Sequence, residues 1–130
     1  MTTRSGERRE ALNLLYEADM KGLDPSQMIQ HAPEGLTRVL VEGVAANLME
    51  IDEVIGSAAE GWTVARMPSV DRAALRLGCF ELRFQTDVPT AVAIDEAVEA
   101  AKELSTDESG RFVNGVLGRI ARETEKTEER

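Results

Sequence analysis

From Leu12 to Ile120, apolar side chains return every three or four residues, and no stretch keeps the two-residue alternation of a strand for more than a few positions. That period restricts the chain to helices that each bury one stripe. The spacing predicts a first helix from about Gly6 to Met20, with Leu12, Leu15, Tyr16 and Asp19 on one side. Ser5 is its expected N-cap and Gly22 its stop. Asp24 then caps a short helix that opens at Pro25 and runs to Ala32. Pro33 and Gly35 break the chain, and one long helix follows from about Leu36 to Glu60, its stripe being Leu36, Leu40, Val44, Leu48, Ile51, Ile55 and Ala58. After Gly61 and a connector at Trp62–Met67, Pro68 opens a helix to about Phe84 whose many apolar residues place it at the centre of the fold. Asp87-Val88-Pro89 is a turn, and two more helices follow, Thr90–Leu104 and Ser109–Arg122. Residues 1–122 form one domain, and the polar residues 123–130 read as a frayed tail.

Little of this chain can do covalent chemistry. One His and one Cys cannot build a zinc site or a Cys–His nucleophile, and one Cys excludes an internal disulfide framework. Cys79 lies mid-helix among apolar residues, where a thiol packs inertly. Neither G-x-G-x-x-G nor G-x-x-x-x-G-K-[ST] occurs, so no familiar phosphate cradle exists. Asp71 and Glu81 stand ten residues apart, a spacing that suits capping and ion pairing rather than acid–base work. The expectation is a protein that is not an enzyme and needs no cofactor or metal. Met1–Glu10 has no apolar leader core, and no run reaches the ~20 apolar residues of a membrane span. A cytoplasmic protein without membrane partners is expected.

The charges are sorted by segment. The net charge of -9 opposes binding to phosphate, which depends on Lys and Arg. Yet residues 66–83 are net +2 and residues 111–122 net +3, while residues 42–60 are net -5 and residues 87–108 net -6. Such a chain can turn different faces to different partners, although solvated helices also carry charge of this kind. Arg72, Arg76 and Arg83 fall within about 40° of one another on a helix, as a ridge. Asp95, Glu99 and Glu103 form an acidic stripe on the next helix. Arg111 and Arg122 share a face of the last helix with Gly115 and Gly118. A helical glycine costs roughly 1 kcal/mol against alanine, so a packing or contact reason is expected at each.

Four stretches in order resemble one family. They are RREALNLLYEAD (Arg8–Asp19), LVEGVAANLMEIDEVI (Leu40–Ile55), GWTVARMPSVDRAALRLGCFEL (Gly61–Leu82) and DVPTAVAIDEAVEAAKELSTDESGRFVNGVLGRI (Asp87–Ile120). Together they are similar to NusB, the bacterial transcription antitermination factors, and GW-x-x-x-R-x-P with AKELSTD is similar to actinobacterial members. The resemblance implies an all-α fold of about seven helices in two packed helical subdomains. It also implies binding of boxA RNA in nascent ribosomal RNA, jointly with the small-subunit ribosomal protein NusE, in a complex that joins RNA polymerase and reads through terminators. A homodimer is a further partner it allows.

The residues that match the family's RNA-binding positions are Arg4, Arg8 and Arg9, with Tyr16, Glu81 and Gly118; Arg76 and Arg83 join them from the ridge. Guanidinium groups pair with phosphates and stack on single-stranded bases, and a tyrosine ring supports a base. The purely structural readings are core packing for Tyr16 and an intrahelical pair of Glu81 with Arg83 or Arg76. Glu81, Asp95, Glu99 and Glu103 are the expected contacts to a basic protein partner, with a solvated face as the other reading of the stripe. Glu7 and Glu10 interrupt the basic N-terminus, so weak intrinsic RNA affinity, strengthened by the partner, is expected. The other function carried by these features is an acidic protein–protein scaffold with little RNA binding.

Overall fold

A computed structural model describes residues 3–128, with side chains through residue 125. It is all-α: among the described residues there are six α-helices and two short 3₁₀ segments, with no strand. The helices are α1 (Arg4–Lys21), α2 (Leu36–Ala46), α3 (Leu48–Ala58), α4 (Ser69–Phe84), α5 (Thr90–Leu104) and α6 (Asp107–Glu128); the 3₁₀ segments are Pro25–His31 and Val64–Arg66. No helix is long and apolar enough to cross a membrane among the described residues.

Most helix ends fall where the residues predict. Gly22 closes α1 at φ 67°, a conformation that costs a side chain but not glycine. Asp24 accepts from the Ser26 amide at 2.9 Å while Gln27 accepts from the Asp24 amide at 3.0 Å, a reciprocal cap on the segment that Pro25 opens. Three boundaries differ. Thr3, not Ser5, caps α1, its hydroxyl accepting from the Gly6 amide at 2.9 Å. The expected long helix from Leu36 is two helices, broken at Asn47, whose ψ of 20° leaves the helical path and whose side-chain Nδ2 donates to the Gly43 carbonyl at 2.8 Å. The last helix continues to Glu128, past its expected end at Arg122.

α4 touches α1, α2, α3, α5 and α6, which makes it the central element. α4, α5 and α6 pack on one another as one group; α1, α2 and the Pro25–His31 segment form the other. One core joins them through Leu12, Leu40, Ile51, Ile55, Leu75, Leu77 and Leu117, all nearly or wholly excluded from water. Two glycines allow the closest crossings. A methyl group at Gly43 would enter the Phe80 ring, and one at Gly78 would meet Leu117 and Ala97. Cys79 is buried in this core, and burial pushes its thiol up to about 12, so it is inert packing as expected.

Candidate nucleic-acid interface

The N-terminal turns of α1 hold the arginines, and helical phase sends neighbours in different directions. Arg8 shares the inward face with Ala11, Leu12, Leu15 and Ala18. Its guanidinium forks onto Glu81 of α4: Nε lies 2.9 Å from Oε1 and Nη2 lies 3.0 Å from Oε2. Arg8 is 4 % exposed and Glu81 1 %, so the pair is sealed from solvent. The carboxylate therefore bonds across helices, not to Arg83 or Arg76 along its own.

Arg9, one residue on, turns to α5. Its Nε and Nη2 donate to the two carboxylate oxygens of Glu103 at 2.8 and 3.1 Å, and its Nη1 donates to Glu96 at 3.1 Å. The Ser5 hydroxyl donates to the other oxygen of Glu96 at 2.7 Å. The hydrogen bonds from Arg9, with its Coulomb attraction, hold the exposed Glu103 carboxyl below the usual range. The hydrogen bonds that Arg9 donates to Glu103, partly offset by desolvation, raise its own pKa. Glu96 escapes sequence reasoning because it lies off the Asp95–Glu99–Glu103 stripe. Its seven-residue spacing to Glu103 is the missed signal, since such a pair shares one face. Asp95 and Glu99 stay exposed, Glu99 3.5 Å from Lys102, so the expected three-residue stripe is split between an intramolecular pair and open surface.

Glu7 is not simply an interruption of positive charge. Its carboxylate accepts from the Leu36 amide at 2.8 Å, capping α2, whose own N-cap is the side-chain-less Gly35.

The ridge on α4 is a seam between helices. Arg72 forks onto Asp19 of α1 at 2.8 and 2.6 Å and donates to the Val64 and Met67 carbonyls. Arg76 forks onto Asp52 of α3, both contacts 2.9 Å, and lies 3.8 Å from Asp19. Arg83 is 3.9 Å from Glu50 and more open than the other two. Burial alone would raise the Asp19 carboxyl, but hydrogen bonds from Arg72 and Ser69 and the attraction of Arg72 and Arg76 hold it below its ordinary value.

Arg4 lies exposed at the head of α1 and has no ion pair among the described residues. Tyr16 is half-buried against the core. On α6, Arg111, Asn114, Gly115 and Arg122 are exposed. A methyl group at Gly115 would meet nothing within 4 Å, and one at Gly118 would meet only the end of Arg122 at 3.5 Å. Packing between helices does not require either glycine.

The NusB family model matches residues 5–122. A transcription antitermination protein NusB of Saccharopolyspora erythraea is 55 % identical over 93 % of this chain and 88 % of its own. That of Salinispora tropica is 47 % identical over 93 % and 96 %. Among solved structures, NusB of T. maritima superposes with a TM-score of 0.85 at 36 % identity, covering 98 % of both chains. A structure of the antitermination factors NusB and NusE in complex with double-stranded RNA matches with a TM-score of 0.81 at 28 % identity, covering 92 % of this chain and 96 % of that one. With fold, core and ordered motifs agreeing over nearly the whole length, the chain belongs to the NusB family of transcription antitermination proteins, which are not enzymes.

Proposed function

We propose that the protein binds boxA RNA of nascent ribosomal transcripts together with the ribosomal protein NusE, and that this complex joins RNA polymerase in the cytoplasm and promotes readthrough of terminators. The observation that carries the reading is the likeness, over nearly the full chain, to a NusB solved with NusE and RNA. Accessible cations support it: Arg4 and Arg111 are exposed, and Arg9 is held only by carboxylates at the surface. In this reading Arg4, Arg9, Arg83 and the Gly118 face of α6 meet RNA, with Tyr16 supporting a base. Arg8 and Arg76 serve by position, fixing α1 and α3 on α4, and Glu81 anchors Arg8. The open carboxylates Asp95 and Glu99 face the basic partner, and Glu103 joins them when Arg9 turns to RNA.

Fluorescence anisotropy with a boxA RNA and a scrambled control, with and without NusE, across a salt series, tests the proposal. Selective binding that tightens with NusE and weakens with Arg4→Glu and Arg9→Glu is expected. NusE binding with no RNA selectivity in either condition would establish the acidic scaffold instead.

A further inference from the structure

A cavity of about 200 Å³ lies between α1 and α5, lined by Arg9, Leu12 and Asn13 from α1 and by Ala100, Glu103 and Leu104 from α5. Arg9 and Glu103 are the ion pair described above, with Nε 2.8 Å from Oε2. Leu12 and Ala100 are buried and give the cavity apolar surface, while Leu104 is 40 % exposed. Asn13 is exposed, and its amide makes no hydrogen bond among the described residues. Asparagine is a poor helix former, and Asn47 spends its amide on the Gly43 carbonyl. Asn13 keeps both its donor and its acceptor free. On α1, Arg9, Asn13 and Tyr16 fall within about 60° of one another, so a guanidinium, a free amide and a phenol ring follow one line along the helix.

We infer, on the RNA reading proposed above, that this cavity seats one unstacked base of the bound RNA and that Asn13 selects adenine there. Phosphate contacts position a strand but carry no sequence; base edges do. The arginines assigned to RNA above position its backbone, and Asn13 adds the group that reads it. Single-stranded RNA is recognised on splayed bases that pack against side chains and hydrogen-bond at their edges. An asparagine amide holds a donor and an acceptor side by side, which match N7 and the N6 amino group of adenine. Adenine alone among the four bases carries no carbonyl oxygen to oppose the Glu103 carboxylate at the same cavity. Leu12, Ala100 and Leu104 supply the apolar surface that the ring covers. The volume is below the roughly 300 Å³ at which sites for whole small molecules begin, and it suits one ring system.

Anisotropy titrations of the full chain with NusE compare boxA RNA with a series in which each adenine in turn becomes purine riboside, which keeps the ring and lacks the N6 amino group. At one position the replacement is expected to weaken binding about tenfold in the parent chain. Asn13→Ala is expected to bind unmodified boxA as weakly as the parent binds that replacement, and to lose nothing further when the same adenine is replaced. Its log–log salt slope stays at the parental value, because no phosphate contact is removed. Its melting temperature stays level or rises, since alanine is the better helix former. A parent that selects boxA yet tolerates purine riboside at every adenine overturns the inference and leaves the RNA reading standing. So does an Asn13→Ala chain that keeps the parent's discrimination. A parent with no preference for boxA overturns both. Weaker binding of NusE to Asn13→Ala without RNA also overturns the inference and makes the cavity part of the protein contact.

Discussion

Arg8 and Arg9 are adjacent, alike in sequence and opposite in use. A 100° step puts Arg8 into the core against Glu81 and Arg9 onto the rim against Glu96 and Glu103. Removing one member of a sealed ion pair leaves the other charged and without water. Arg8→Ala is therefore expected to cost about 3–5 kcal/mol in urea unfolding, enough to consume much of a domain's stability. Loss of RNA binding in that variant would report unfolding rather than a missing contact. Glycines divide in the same way. Gly43→Ala drives a methyl group into Phe80 and is expected to cost about 1–3 kcal/mol by overpacking, whereas Gly115→Ala meets nothing and gains about 0.5–1 kcal/mol of helix propensity. A Gly115→Ala protein that unfolds at lower urea than the parent would contradict that placement. Sequence distinguishes neither pair, because identity alone does not say which residue a neighbouring helix covers.

Between elements, the legible part was phase and the illegible part was partnership. The inward side of α1 and the central place of α4 read correctly because both face one core. The break at Asn47 escaped because the stripe keeps its phase from Val44 through Leu48 to Ile51, so periodicity runs straight across it. Only the asparagine itself, which prefers a side-chain bond to backbone over helix, marked it. The ridge of Arg72, Arg76 and Arg83 was correctly placed on one face, but its carboxylates come from Asp19, Asp52 and Glu50, distant in sequence. This seam gives a pH dependence with a definite sign. Asp19 titrates lower folded than its ordinary 3.8, so its contribution is complete above roughly pH 4 and is lost as pH falls through the folded value. Stability measured by urea unfolding between pH 6 and pH 2.5 is expected to fall in the acid limb, and Asp19→Asn to flatten that fall. An equally steep fall in Asp19→Asn would remove the α1–α4 pair as its source.

At the scale of the molecule, RNA binding by a chain of net charge -9 depends on where its few cations are released. Several guanidiniums are spent inside: Arg8 on Glu81, Arg72 on Asp19 and Arg76 on Asp52. Arg9 is the intermediate case, held near the surface by Glu96 and Glu103. An RNA that claims Arg9 must displace two carboxylates and leave them facing its own backbone. That competition lowers affinity without lowering fold stability much, because exposed pairs contribute little. In the function proposed above, a basic partner would help in the same way: by taking up the acids of α5, NusE would return Arg9 to the RNA. Glu96→Gln combined with Glu103→Gln removes the competitor directly. In anisotropy titrations without NusE, the double variant is expected to bind boxA RNA several-fold more tightly. Its salt dependence should steepen by about 0.7 in log–log slope, the value of one added phosphate contact on a single strand. NusE should then add less than it does for the parent chain. Unchanged RNA affinity in the double variant would mean that Arg9 is a structural clasp, and that the phosphate contacts lie instead with Arg4 and the open face of α6.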